Sequence, residues 1–447
     1  MINILYLYNS TQTYTNAVYE HIASFAKYSR YRSFFFHLDP TTNFETDLLC
    51  FDAVVIHFSI RLPYDQISPS TAEALSKFKG LKLLFIQDEY DHVQRAWHWI
   101  KALGLQLVFT VVPESGVERI YPVCELPDTR FVSNLTGYVP DDVKLNLDVK
   151  VPSQRPLIVG YRGRPLPIRY GQLGMEKIGV GKIIKDYCDA YHIKNDIAWS
   201  EESRIYGQGW YEFMVSCRSM LGSESGSNVF DWDGTLVKRI AQFQKLNPKA
   251  GDDEVYERFV KTEEIHGIMN QISPRIFEAI AAKTALVLFE GSYSGVVRAG
   301  EHFIPVKKDG SNLAEVMRLL QDGTYVDEMA ERAYQDVIAS GKYSYQSFVR
   351  LVDDEIAASL TTLDQHRNKI VSISTDRVPI NTSTSITTSP IRAKPPQPLN
   401  NTLSQTIFAS RGLKDLGARF AFYMWRKLPE SVRLILKPGL KHLLGKG

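Results

Sequence analysis

Pro274-Arg275-Ile276-Phe277-Glu278-Ala279-Ile280-Ala281-Ala282-Lys283-Thr284-Ala285-Leu286-Val287-Leu288-Phe289 is the stretch that decides the fold. Ser273 and Pro274 open it as a helix start, and Ile276, Phe277 and Ile280 recur at helical spacing. The next five residues, 285–289, are all apolar, as in a strand buried on both faces of a parallel sheet. A glycine and serine loop, 291–295, follows. Helix, strand and glycine loop in that order make an α/β unit. The amides of such a helix start are a ready anion site. Arg275 in the first turn opposes the helix dipole unless an anion sits there. Glu278, one turn later, can accept hydrogen bonds from hydroxyl groups.

The flanking sequence repeats the pattern. Strands are expected at 157–161, 197–199 and 304–307, and helices at 174–191, 254–269, 313–320 and 326–339. The first 140 residues carry six further strand candidates, at 2–8, 32–37, 53–58, 82–87, 105–111 and 130–134. Amphipathic segments at 17–27, 70–79 and 91–103 lie between them. Strands joined by helices in this way predict a doubly wound parallel sheet. A proline-punctuated stretch, 140–156, separates the two halves. The expected fold class is therefore α/β, with two Rossmann-like domains (1–145 and 156–345) facing a cleft and a closing helix at 346–365.

The remainder differs in composition. Half of the 30 residues 371–400 are Ser, Thr or Pro, too polar to repay their ordering entropy, so 370–404 reads as a disordered linker. Residues 405–447 hold nine Lys or Arg against Asp415 and Glu430, a net charge of +7. Leu, Phe, Tyr and Trp alternate with these cations, the pattern of a basic amphipathic segment on an anionic membrane surface. Packing against a partner protein is the alternative.

Charge and cysteine usage exclude several classes. The net charge of +2 over 447 residues makes no electrostatic case for nucleic acid. The four cysteines, Cys50, Cys124, Cys188 and Cys217, form no CxxC pair, so neither a zinc site nor a disulfide framework is indicated. No signal peptide or membrane-spanning run is read, and a cytoplasmic protein, peripheral at the inner face of the plasma membrane, is expected.

In an α/β sheet the residues just beyond the strands carry the chemistry. Tyr161-Arg162-Gly163-Arg164 ends one strand and offers two guanidinium groups. The polar stretch 222–235 contains Glu224, suited to contact ligand hydroxyls or to act as a base. In the first half, Asp88 and Glu89 follow a strand and are candidates for the base that activates an acceptor hydroxyl, with His57 or His92 assisting. Asp231-Trp232-Asp233-Gly234-Thr235 matches the DxDGT opening of haloacid-dehalogenase-type phosphatases, but only Val229 and Phe230 precede it where a buried strand is needed.

Arg275-Ile276-Phe277-Glu278-Ala279-Ile280-Ala281, then a strand and the loop Glu290-Gly291-Ser292-Tyr293-Ser294-Gly295, resembles the donor-binding core of GT-B glycosyltransferases. The likeness is to the group-1 branch and its spore-maturation-protein-like relatives, over roughly 270–350. It implies a metal-independent transferase acting on a nucleotide-sugar co-substrate, with no cofactor. In that reading Arg162, Arg164 and Arg275 neutralise the diphosphate, Glu278 binds the ribose, and Gly291, Ser294 and Gly295 lie near the donor. With the basic tail, it implies a glycan or lipid-linked acceptor in cell-envelope polysaccharide synthesis. The sequence departs from the family at Asn270, where a second Glu is common, and at Lys283, where Gly is usual. A non-catalytic scaffold binding a glycan or nucleotide is the alternative, and a phosphatase the more distant one.

Overall fold

The computed structural model describes residues 2–12, 16–139 and 149–375. The segment 405–447 and most of the expected linker lie outside the described residues. So does the stretch 140–148.

The first lobe is a six-stranded parallel sheet. Its strands are β1 (Asn3–Tyr8), β2 (Arg32–His37), β3 (Ala53–Ile56), β4 (Leu81–Phe85), β5 (Leu107–Thr110) and β6 (Arg130–Ser133), in the order β2-β1-β3-β4-β5-β6. Strand side chains alternate between the faces. Leu5, Leu7, Val54 and Ile56 therefore meet the helices α2 (Pro69–Lys77), α3 (Val93–Leu103) and α4 (Glu114–Ile120). Ile4, Tyr6, Val55 and Phe85 face the opposite side with Ile22 and Phe25 of α1 (Asn16–Tyr28).

The second lobe holds β7 (Leu157–Arg162), β8 (Asn195–Ala198), β9 (Cys217–Gly222), β10 (Ala285–Phe289) and β11 (Ile304–Val306), all parallel, in the order β11-β10-β9-β7-β8. One face packs on α5 (Gly171–Ala190), α10 (Leu313–Gln321) and α11 (Gly323–Ala333), and the other on α6 (Gln208–Ser216) and α9 (Pro274–Ala281). Buried Arg155 pins the lower end of this sheet by donating to the carbonyls of Cys217 and Ala282 and to Thr284 Oγ1. The last helix, α12 (Tyr345–Thr375), returns to the first lobe, where Phe348, Val352 and Ile356 complete the core under α1. Asp353 fixes it there by accepting from Ser29 Oγ (2.9 Å) and the Arg30 amide (2.8 Å).

Three features depart from expectation. β9, at the centre of the second sheet, is not legible as an apolar run because Arg218 and Ser219 interrupt it. Arg218 donates its terminal nitrogens to the carbonyls of Leu320 and Ser153, and Ser219 its hydroxyl to that of Ile158. The helix expected over 254–269 stops near residue 263, after α8 (Asp252–Val255) and two further turns, because Ile265 and Met269 bond back to Asn228. And α12 continues to Thr375, into the stretch assigned to the linker.

Between β9 and α9 the chain crosses to the other lobe. Phe230, Ile268 and Met269 enter the core of the first lobe, and Trp232 packs on Trp97 of α3. The Asp231 amide donates to the Tyr90 carbonyl (2.8 Å), and the Gln94 amide to the Trp232 carbonyl (2.9 Å). The excursion then carries α7 (Thr235–Leu246) and returns, its two stems paired through Ser225 and Gln271. Arg169, ahead of α5, adds an ion pair to Asp91 of the first lobe. These contacts hold the carboxyl edges of the two sheets in one assembly.

Candidate functional site

A cavity of about 250 Å³ lies at the carboxyl edge of the second sheet. Its floor is apolar, built from Met220, Leu221, Leu286 and Leu288 at the strand ends. Ser223 and Ser225 line it from one stem of the excursion, and Ser273 and Ile276 from the other.

Three cations line this cavity: Arg164 from the loop after β7, Lys177 from α5 and Arg275 from the first turn of α9. None of the three makes an ion pair among the described residues. Arg275 donates to the Arg162 carbonyl (2.5 Å), and its guanidinium lies 5.5 Å from the centroid of the Trp210 ring. Tyr161 fixes the backbone that carries Lys177 by donating its hydroxyl to the Lys177 carbonyl (2.7 Å). Burial, and then the nearby Arg275 charge, push the Lys177 ammonium down to about 8. Lys177 is half-buried while Arg164 and Arg275 are exposed, so the cost of desolvating a cation falls chiefly on Lys177. A bound anion would offset that cost, and here the neighbouring helix start also favours one.

The expected site residues divide between this cavity and its supports. Arg164 and Arg275 line it. Arg162 does not. Its guanidinium stacks on Phe213 (4.2 Å) and donates to Asp196 Oδ2 (2.8 Å) and the Ser203 carbonyl (2.9 Å), so it braces β7 rather than facing a ligand. Glu278 sits a turn below Arg275 and accepts from the Trp210 indole N–H (2.8 Å); burial raises its pKa.

Glu224 is 3 % exposed and fully engaged. Oε1 accepts from the Ser292 amide (3.0 Å), Ser292 Oγ (3.1 Å) and the Tyr293 amide (2.7 Å), and Oε2 from Asn270 Nδ2 (2.5 Å). The glycine loop is thus clamped by a carboxylate from the excursion. Gly291 is needed there, since a Cβ would fall 2.7 Å from the Glu224 carboxyl. Ser294 ties the same loop to the excursion by accepting from the Ile272 amide (3.0 Å) and donating to Gln271 Oε1 (3.0 Å). Tyr293, Ser294 and Gly295 all have positive φ, a conformation that Gly295 alone adopts without strain. Glu224 is therefore tied into the structure instead of standing free as a base: three donors hold Oε1 and Asn270 holds Oε2.

In the first lobe, Glu89 is likewise tied into the structure instead of standing free as a base. It is buried, accepts from Thr110 Oγ1 (2.6 Å), the Val111 amide (2.8 Å) and the Tyr121 hydroxyl, and holds the loop after β5. Burial raises its carboxyl to about 7. Asp88 is exposed at the carboxyl edge, with a left-handed backbone (φ 56°), and accepts from the Tyr90 hydroxyl (2.8 Å). His57 is buried, with Nε2 3.0 Å from His21 Nδ1. His92 packs edge-on against Tyr64.

Asp231 of the phosphatase-like motif accepts from the amides of Gly234 (2.9 Å), Leu236 (3.2 Å) and Val237 (3.1 Å). It caps α7 and does not end a strand of the sheet, which settles the motif as a helix-capping loop. Among the described residues no group of three or more His, Cys, Asp or Glu side chains could hold a metal ion.

Sequence reasoning passed over Lys177 and Trp210. Lys177 stands in Glu176-Lys177, which reads as a solvated pair on a helix, and no local signal marks it as buried. The departure at Asn270 was a usable signal, since that residue holds Glu224.

No family model and no curated protein matches the chain. Among solved structures, sucrose-phosphate synthase from Thermosynechococcus elongatus is 14 % identical over 81 % of this chain and 100 % of its own, with a TM-score of 0.41. The Anabaena protein HepE in complex with UDP-glucose is 12 % identical over 81 % of this chain and 100 % of its own, at 0.43. TarM is 11 % identical at 0.34, and the alignment spans 68 % of this chain and 54 % of TarM.

Proposed function

We propose that this protein is a glycosyltransferase that uses a nucleotide-sugar donor. One observation carries the reading: three cations that make no ion pair among the described residues converge on one apolar-floored cavity where a helix start also points. A nucleoside diphosphate supplies the anion that this arrangement lacks. Arg164, Lys177 and Arg275 hold its phosphates and stabilise the negative charge that develops on the leaving diphosphate. This works without a metal ion in our reading. Glu278 accepts from the ribose, and the clamped loop 291–295 sits at the sugar end. Asp88, exposed on the facing lobe, takes the proton of the acceptor hydroxyl.

The acceptor is a glycan or a lipid-linked glycan of the cell envelope. Residues 405–447 hold the enzyme at an anionic membrane surface on the cytoplasmic side. Both statements rest on the composition of that segment. A second reading, a binding-only scaffold, is favoured by the engagement of Glu224, which removes one carboxylate from chemistry.

The test is transfer from a panel of radiolabelled nucleotide sugars to membrane-derived acceptor, with Arg275→Met, Lys177→Met and Asp88→Asn alongside. Loss of nucleotide binding in the first two, and of transfer with binding intact in the third, supports the reading. Binding without turnover by any donor supports the scaffold.

A further inference from the structure

Trp210 touches two of the groups assigned to the donor at once, by two different parts of its ring. It lies in the first turns of α6 and lines the cavity. Its edge donates Nε1–H to Glu278 Oε2 (2.8 Å), while Arg275 lies over its face, 5.5 Å from the centroid. The indole is itself held. Its amide bonds the Gly207 carbonyl (3.1 Å), and its ring packs 5.9 Å from that of Phe213, which carries Arg162.

The edge contact has a chemical consequence. An indole N–H can only donate, so it engages a carboxyl oxygen as acceptor and fixes which oxygen of Glu278 remains. That second oxygen accepts no hydrogen bond among the described residues. Glu278 is half-buried, and a sugar hydroxyl is a donor that fits this oxygen beside a phosphate-binding cation. A site built to bond a hydroxyl rejects the analogue without it, because its polar group is left unpaired.

We infer that Trp210 is a positioning residue that sets selectivity for ribose over deoxyribose through Glu278, while its ring face separately orients Arg275 toward the phosphates. This rests on the donor reading above. It makes the two properties separable by substitution. Trp210→Phe keeps a face under Arg275 and removes the N–H; Trp210→Leu removes both.

Titration calorimetry on the full chain with UDP, GDP and ADP, their 2′-deoxy and 3′-deoxy counterparts and the matching monophosphates reads both properties. The wild type should prefer one ribonucleoside diphosphate over a deoxy counterpart by about tenfold or more, the size expected for one hydrogen bond to a charged group. Trp210→Phe should bring that ratio to within about threefold of unity and keep the preference for diphosphate over monophosphate. Trp210→Leu should lose both preferences. If Trp210→Phe does not fold by circular dichroism, Trp210→Tyr replaces it. Ribose selectivity lost in Glu278→Gln but retained in the Trp210 variants would overturn the inference and leave the donor reading standing. No ribose selectivity in the wild type would overturn the Glu278 assignment, and no binding of any nucleotide the donor reading itself.

Discussion

Asn270 donates its side-chain amide to Glu224 Oε2 at 2.5 Å, and the other oxygen of that carboxylate receives the amides of Ser292 and Tyr293. One hydrogen bond thus joins the returning stem of the interlobe excursion to the outgoing stem, and through it to the loop after β10. Asn228 extends the chain by donating to Asn270 Oδ1 (2.8 Å). Two walls of the cavity are therefore set by a network that starts where the excursion leaves the first lobe.

Replacing Glu224 by Ala leaves two amide donors of the glycine loop unpaired in a buried place. The expected loss is about 2–4 kcal/mol, seen as a lower denaturant midpoint. Asn270→Glu, which restores the residue common in the resembling family, should also destabilise, because it sets two carboxylates within hydrogen-bond distance. That loss should shrink as pH falls toward 5, where one of the pair takes up a proton. A gain in stability at neutral pH would contradict the network.

Lys177 should make nucleotide binding depend on pH. Its free ammonium is pushed down to about 8, and a bound diphosphate raises it again. Affinity should be full below pH 8 and fall by up to about tenfold per unit above it, until the bound form also loses its proton. Lys177→Arg should flatten the profile between pH 7 and 9, measured by calorimetry at constant ionic strength.

The buried pair His21 and His57 should make the first lobe sensitive to acid. Burial lowers both, His21 to about 3 from a usual 6.5. The unfolded chain therefore binds protons that the folded one refuses, so stability is full above pH 6.5 and declines as pH falls below it, by up to about 1.4 kcal/mol per unit for each histidine. Glu89, raised to about 7, works in the opposite sense between pH 4.5 and 7. A His21→Phe variant should show a shallower decline in melting temperature between pH 6.5 and 4.5.

Asp231→Asn tests the capping assignment. Loss of a charged cap should cost about 1–2 kcal/mol, with the effect on α7 visible in amide exchange at Leu236 and Val237. Magnesium-dependent phosphate release that Asp231→Asn abolishes would revive the phosphatase reading.

The sheets are legible where burial forces an uninterrupted apolar run, as in 53–56 and 285–289. β9 escaped because Arg218 and Ser219 are paired by carbonyls distant in sequence, which no local pattern encodes. The same limit applies to the site. Arg164 and Arg275 stand beside strand and helix ends that sequence can place, and both line the cavity. Arg162 stands in the same motif, yet Asp196 and Phe213 claim it, and both lie more than thirty residues away. Lys177 looks like a surface lysine until the fold turns it into the cavity. Glu224 was marked as functional for its setting among small polar residues, and its true partners are amides of a loop almost seventy residues further on.

The affinity of UDP, GDP and ADP for the wild type, Arg275→Met and Arg162→Met separates a ligand-binding cation from a structural one. We predict that one diphosphate binds the wild type. Arg275→Met should weaken it by about tenfold or more, the loss of a charge-assisted contact. Arg162→Met should lower the melting temperature instead, with affinity changed less than in Arg275→Met. Equal affinity in the wild type and Arg275→Met, or a larger loss in Arg162→Met than in Arg275→Met at a temperature where both are folded, would contradict the assignment of this cavity to a nucleotide-sugar donor.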